Sequence, residues 1–493
     1  MNETMPNFFK KRVFLTPERT AVVFENKAYT FKDLYDLTFD IAGRLSGKEI
    51  EKDQYLAVLL KNHVDTLVIL LALQLLGVKA VILNNRLTTE ELAWQINDSK
   101  VTAIITEAAL SGTLENEVSI PLILKEELPS IPFKEPRIVE EIHLDDVCSV
   151  MYTSGTTGNP KGVLQTYGNH WWSAVGSALN LGLTEEDCWL CTMPLFHISG
   201  YSILMRSIIY GIKIVLHNGF DEQKVVEDVK KEKVSIMSVV TTMVPRILEV
   251  TGEEKLPFYF RCMLLGGGPA PLSVLERCVE KHVPVYQTYG MTETASQIVT
   301  LSPEYSLNKL GSAGKPLFPS QLKIIDSLGN DVGPNESGEI VVKGPNVTKG
   351  YLYKEEESNK NIQNGWLSTG DVGYLDEEGF LFVQDRRSDL IISGGENIYP
   401  AEIEGILTSH PSVLDAGVIG KADSKWGQIP VAFMVKKGEI SQQELVQYCQ
   451  QKLAKYKIPK EMYFIDEIPR NASKKLLRRK LREKLEESME SGR

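Results

Sequence analysis

Short apolar runs alternate with helical segments from Thr20 to Thr288, and this rhythm constrains the fold more than any single motif. Runs that read as strands are Thr20 to Phe24, Leu56 to Leu60, Val78 to Leu83, Val101 to Thr106 and Val147 to Met151, then Lys213 to His217, Ser235 to Val240, Arg261 to Leu265 and Pro284 to Thr288. Helical segments lie between them. One opens at Thr30 as its cap, one covers Val64 to Leu76, one begins at Thr88-Thr89-Glu90-Glu91 and one at about Gly168. Later helices cover Asp221 to Lys233, Val244 to Thr251 and Pro271 to His282. Such alternation predicts an α/β fold of mostly parallel sheets flanked by helices. In such sheets ligands gather beyond the carboxyl ends of the strands.

Polar or glycine-rich stretches stand at three such ends: Tyr152 to Gly162 (YTSGTTGNPKG), Gly266 to Pro269 (GGGP), and Tyr289 to Glu293 (YGMTE). Glycines let backbone N–H groups approach an anion, hydroxyls donate to it, and Lys161 adds a mobile charge. With a strand before it and a helix expected after it, the first stretch reads as a phosphate cradle. It is not a Walker A loop, because Pro160 precedes Lys161 and Gly162 follows it. The plainer reading, a polar surface loop, leaves the density of glycines and hydroxyls unexplained.

Beyond about Gln321 the pattern changes. Gln321 to Ile325, Gly338 to Lys343 and Gly379 to Val383 read as short strands separated by turn signals such as Asn335-Glu336-Ser337-Gly338. These predict a small β-rich subdomain, about 315–385, closing a large domain of residues 1–386. A charged joint at 386–389 leads to a mobile α+β domain of residues 387–493. There Ala401 to Ser409 and Gln442 to Leu453 read as helices, and Asp415 to Ile419 and Val431 to Val435 as strands.

The balance of 54 basic and 65 acidic residues, net −11, gives no general attraction for nucleic acid or anionic membrane. Phosphates must be met by local loops. The most apolar region, Val64 to Leu83, carries Asp65, Gln74, Gly77 and Lys79, so it reads as a buried helix and strand rather than a membrane span. The first twenty residues lack a signal-peptide core, and six scattered cysteines suit a reducing compartment, so a cytoplasmic protein is expected. Cys188-Trp-Leu-Cys191 has redox-like spacing but reads as a buried strand.

Taken together, in this order, these stretches resemble the acyl-adenylate-forming enzymes: acyl-CoA synthetases, peptide-synthetase adenylation domains and firefly-type luciferases. The resemblance runs from the Thr30 helix to Lys475. It implies a reaction in two halves, in which ATP and a carboxylic acid give acyl-AMP and pyrophosphate, and a thiol such as CoA then displaces AMP. It implies that Thr153, Ser154, Gly155, Thr156, Thr157, Gly158 and Lys161 cover the β- and γ-phosphates. Gly267 and Gly268 would wall the nucleotide and acyl pocket, with Tyr289 against adenine and Gly290 among the nucleotide-binding residues. Thr292 would donate to the α-phosphate and Glu293 would hold Mg2+. Asp371 would accept the ribose hydroxyls, with Arg386 as a second ribose contact. Lys475 would reach the forming acyl phosphate, although Lys474 stands where the family usually has glycine, which leaves the register between the two lysines open. Ser388 departs from the family's hinge residue.

For the acid, Met193 to Gly200 (MPLFHISG) and Leu264 to Pro271 (LLGGGPAP) resemble ligases of an aromatic keto acid with a second, free carboxylate. On that resemblance His197 lies against the acyl carbonyl, and Ser199, Arg206 and Arg246 receive the free carboxylate. Without it, His197 reads as a core histidine and the two arginines as helix-surface charges. A ligase for another aromatic or medium-chain acid, and a non-catalytic nucleotide-binding relative, are the competing readings. The partners expected are small molecules, and both monomer and homo-oligomer stay open.

Overall fold

The computed structural model describes residues 3–112, 114, 117–153, 160–267, 270, 272–385, 390–469, 476 and 478–490. They group into two compact units. The first holds 1–85, 95–152 and 162–384; the second holds 86–94, 153–161 and 385–493. The joint expected at 386–389 lies outside the described residues.

The first unit is built on two sheets. A six-stranded sheet runs in the order Lys161–Thr166, Val147–Thr153, Lys79–Ile82, Tyr55–Leu59, Ala103–Thr106, Leu122–Leu124. From Val147–Thr153 onward its pairs are parallel. The Val64–Leu76 helix lies in the core beside it, with every residue except Asp65 buried. A helix apolar all round is stable only when it is covered on all sides. It ends at Gly77, whose φ of 69° is the left-handed cap that glycine adopts at little cost.

The second sheet has fourteen strands. Thr20–Phe24, Lys213–Leu216, Cys188–Cys191, Ile236–Val240, Cys262–Gly266 and Val285–Met291 are parallel neighbours in that order. A hairpin into Ser296–Leu301 then reverses direction, and Ser312–Pro316 continues antiparallel to the strands of 321–385. The expected β-rich part is therefore hydrogen-bonded into the main sheet rather than standing apart from it.

The glycine-rich stretch departs from the strand–loop–helix expectation. It leads into another strand, Lys161–Thr166, and only then into the Tyr167–Leu181 helix, which Thr166 and Asn169 open with a reciprocal capping box. Val163 is fully buried in that strand.

In the second unit a five-stranded sheet carries a long hairpin, Val413–Asp423 against Gly427–Lys436, with the helices Pro400–Thr408 and Gln442–Lys452 sharing its core. The hairpin extends past the apolar runs that mark it in the sequence. Buried Lys457 is paired with Glu91 and Glu402, and burial pushes the Glu402 carboxyl up to about 7. Gly394 and Gly395 form a tight turn between Ile391–Ser393 and Glu396–Ile398, with φ of 59° and 88°. Two left-handed residues in succession are what the favoured hairpin turn requires. Among the described residues no helix is long and apolar enough to cross a membrane.

Candidate active site

The site is organised by the hairpin turn that follows Val285–Met291. Its residues Thr292–Thr294 form one short 3-10 turn, and Ala295 and Ser296 then adopt φ of 51° and 101°. Left-handed non-glycine residues persist only where neighbours hold them, and here four consecutive carbonyls are held. Gln165 donates to the Thr292 carbonyl, and the Thr348 N–H to that of Glu293 at 2.7 Å. Asn346 donates to Thr294 at 3.0 Å and Ser173 to Ala295 at 2.7 Å. Asn169 fixes the supporting segment by donating to Pro345 and Val347 at 3.0 and 2.8 Å. Gly290 has a steric role, since a Cβ there would lie 2.1 Å from the Ser296 carbonyl oxygen.

This rigid turn presents Glu293, a residue 7% exposed. The Tyr351 hydroxyl donates to its Oε1 at 3.2 Å. Among the described residues no lysine or arginine pairs with it. A buried carboxylate without a basic partner fits a cation that arrives with a ligand, and Mg2+ is commonly held by one or two carboxylates plus substrate phosphates. Among the described residues there is no cluster of three or more His, Cys, Asp or Glu side chains that would hold a metal alone.

Asp371, 6% exposed, is the second buried carboxylate. Its Oδ2 accepts the Tyr289 hydroxyl at 2.8 Å, and its N–H donates to Thr369 Oγ1 at 3.1 Å. Tyr289 itself is 1% exposed, in one apolar cluster with Ile298, Val299 and Val342, and its hydroxyl fixes Asp371.

Gly267 ends the Cys262–Gly266 strand with φ of 87°, and a Cβ there would lie 3.5 Å from Val240. Gly266, Val240 and Thr288 stand together at neighbouring carboxyl strand ends, the rim where sequence reasoning expects ligands. His197 is half-buried, stands at the N-cap position of the Ile198–Tyr210 helix without a side-chain capping bond, and packs on Phe196 at 4.7 Å between ring centroids. Ser199 lies in the first turn of that helix. Gly200 permits the close approach of the preceding segment, because a Cβ would fall 2.1 Å from the Pro194 carbonyl oxygen.

The two arginines are not brought together. Arg206 is 2% exposed, 5.2 Å above the Trp189 ring, with its Nη atoms 3.4 and 3.5 Å from Ser202 and Ser173. Burial lowers its pKa. It braces Ser173, and through it the turn. That burial weighs against the substrate-binding expectation for Arg206. Arg246 is on the surface, paired with Glu222 at 2.6 Å and lying over Phe220. Cys188 and Cys191 are buried in one strand, and burial pushes both thiols up to about 12, against a redox or metal role.

Thr153 ends one strand of the glycine-rich stretch, and Lys161, 7% exposed, begins the next. Ser154, Gly155, Thr156, Thr157, Gly158, Gly268, Arg386, Lys474 and Lys475 lie outside the described residues. Sequence reasoning missed Gln165, Asn346, Thr348 and Tyr351. The signal for the last three is weak: a polar stretch, Pro345 to Tyr351, too long for a tight turn between two expected strands.

The family model described as AMP-binding enzyme matches residues 9–352, and that described as AMP-binding enzyme C-terminal domain matches 402–475. A 2-succinylbenzoate–CoA ligase of Bacillus anthracis is 53% identical over 487 residues, covering 99% of this chain and 100% of the relative. Among solved structures, a double mutant of o-succinylbenzoate CoA synthetase (MenE) from Bacillus subtilis with its product analogue OSB-NCoA matches with a TM-score of 0.94 at 50% identity, covering 98% of each chain. The same Bacillus subtilis protein in complex with ATP and magnesium ion matches with a TM-score of 0.77 at 49% identity, covering 97% of this chain and 100% of that one.

Proposed function

The chain belongs to the AMP-binding enzyme family, and from that premise we propose that it is an AMP-forming acid–thiol ligase that joins 2-succinylbenzoate to CoA in menaquinone biosynthesis. The observation that carries this reading is the near-complete overlap with ligases of that acid. In the first half-reaction a carboxylate oxygen attacks the α-phosphorus of ATP, and the bond to pyrophosphate breaks. In the second the CoA sulfur attacks the acyl carbon, a C–S bond forms, and AMP leaves with the C–O electron pair.

The chain's residues divide this work. We assign Glu293 to hold Mg2+, which supplies charge neutralisation beside the phosphates. Thr292 donates to the α-phosphate from a turn whose carbonyls are already satisfied, so the donor is oriented before ATP arrives. Asp371, oriented by Tyr289, accepts the ribose hydroxyls, and Arg386 adds a second contact. Thr153 to Lys161 hold the departing pyrophosphate. Lys475 brings positive charge to the acid as it attacks, and His197 lies against the acyl carbonyl. With Arg206 enclosed, surface Arg246 and Ser199 are the candidates for the free carboxylate, and Arg246 must exchange Glu222 for the substrate. ATP and CoA as co-substrates argue for a cytoplasmic enzyme.

The test is pyrophosphate release over a panel of acids, with and without CoA. The reading expects 2-succinylbenzoate to give the highest kcat/KM, and benzoate and medium-chain acids to fall at least about a hundredfold lower, as for a site built around a charged group. Equal turnover of monoacids would overturn the substrate assignment and leave the reaction class standing.

A further inference from the structure

We propose that Tyr351 is a positioning residue for the metal-holding carboxylate, fixing which oxygen of Glu293 is offered to a divalent cation; this rests on the assignment of Glu293 above. A carboxylate has two equivalent oxygens and free rotation about its last bond, so a donor on one of them selects the other. Here the Tyr351 hydroxyl is that donor, 3.2 Å from Oε1. Among the described residues Oε2 accepts no hydrogen bond. Tyr351 is 5% exposed and Glu293 7%, so water competes little for either group.

Tyr351 is itself held. Its N–H donates to Ser358 Oγ at 2.8 Å. It bridges Val163 as an antiparallel partner, with the Leu352 N–H donating to the Gly162 carbonyl at 2.7 Å and the Leu164 N–H to Gly350 at 3.0 Å. Gly162 follows Lys161 directly. The segment Pro345 to Leu352 thus holds the Glu293 and Thr294 carbonyls through Thr348 and Asn346, the Glu293 carboxylate through Tyr351, and the strand leaving the phosphate stretch through Leu352. One short segment sets the metal carboxylate and that strand in a common frame. Partners of this kind, which touch a ligand rather than the metal, typically change metal affinity by about 10–100-fold when removed.

The experiment is an equilibrium titration of Mn2+ into the full-length protein with the non-reacting analogue α,β-methylene ATP, reading free Mn2+ by electron paramagnetic resonance. Tyr351→Phe keeps the ring and removes the donor. We expect about tenfold weaker Mn2+ binding by the analogue complex, with metal-free analogue binding within about twofold of wild type. Glu293→Gln is the control for the underlying assignment and should lose Mn2+ affinity more severely. Unchanged affinity in Glu293→Gln would overturn the metal assignment and the inference with it. Loss in Glu293→Gln but not in Tyr351→Phe would overturn the inference alone. Should Tyr351→Phe not fold, Asn346→Ala frees the Thr294 carbonyl and leaves Tyr351 in place. The same account expects weaker Mn2+ binding from it, because the turn that carries Glu293 is then less firmly held, and no change would refute the shared frame from which the inference is drawn.

Discussion

Tyr289→Phe isolates one hydrogen bond, that from the Tyr289 hydroxyl to Asp371. Phenylalanine keeps the buried ring, so the apolar contacts with Ile298, Val299 and Val342 survive. What is lost is the hydroxyl 2.8 Å from Asp371 Oδ2, a donor to a carboxylate only 6% exposed. A hydrogen bond to a charged group contributes roughly 1.5–3 kcal/mol net, and the carboxylate stays buried with one donor fewer. A loss of about 2 kcal/mol corresponds to about a thirtyfold change in an equilibrium constant. If Asp371 holds the ribose, the loss appears in nucleotide recognition as well as in stability. The assay is therefore a cycle: wild type and Tyr289→Phe, each titrated with ATP and 2′-deoxy-ATP. In wild type the missing hydroxyl should weaken binding. In the variant the same deletion should matter several-fold less, because Asp371 is no longer oriented to accept it. Coupling of about 1 kcal/mol or more is expected for groups in one network. Fully additive losses would refute the argument that Tyr289 acts through Asp371.

Gly290→Ala places a Cβ 2.1 Å from the Ser296 carbonyl oxygen, so the two hairpin strands must part; we expect at least about 1–3 kcal/mol of destabilisation by urea unfolding and a larger proportional loss of pyrophosphate release. His170 is fully enclosed, with its pKa lowered to about 3 by burial and by Arg206. The unfolded chain takes up this proton near pH 6.5 and the folded chain does not, so stability falls as pH drops through 6.5 toward 3. Between pH 7.5 and 5.5 the loss from this residue is about 1.4 kcal/mol, and His170→Gln should lack it when urea midpoints are compared at the two pH values. Lys475→Ala should cripple acyl-AMP formation yet spare thiol transfer from supplied acyl-AMP; equal loss in both halves would remove it from its assigned role.

The parallel core was legible because its strands are apolar and β-branched runs closed by glycine or polar residues, and the helices between them carry caps such as Thr30 and Asp221. Edges were not. Val413–Asp423 continues through polar residues because the partner strand supplies the hydrogen bonds, and composition says nothing of that. The strand Lys161–Thr166 was hidden by Gly162 and Gln165, although Val163 is entirely buried. In the candidate site, Glu293 and Asp371 were singled out through the family resemblance of YGMTE and STGD, and both are buried carboxylates. The true partner of Tyr289 was not, since Asp371 lies 82 residues away. Arg206 shows the opposite failure: an arginine in an apolar helix reads as surface or ligand, and only packing reveals it enclosed over Trp189. Tyr351 and its segment went unseen because their work is to hold other residues, through contacts no local pattern encodes.

The central claim is that this chain activates 2-succinylbenzoate through an enzyme-bound adenylate and then hands it to CoA. A single-turnover experiment with excess enzyme, quenched in acid and read by mass spectrometry, tests it directly. With ATP, Mg2+ and the acid but no CoA, the account predicts accumulation of one equivalent of the acyl-AMP and of pyrophosphate; adding CoA should convert that adenylate to thioester and AMP. Thioester appearing with CoA while no adenylate forms in its absence, or ADP and phosphate in place of AMP and pyrophosphate, would contradict it.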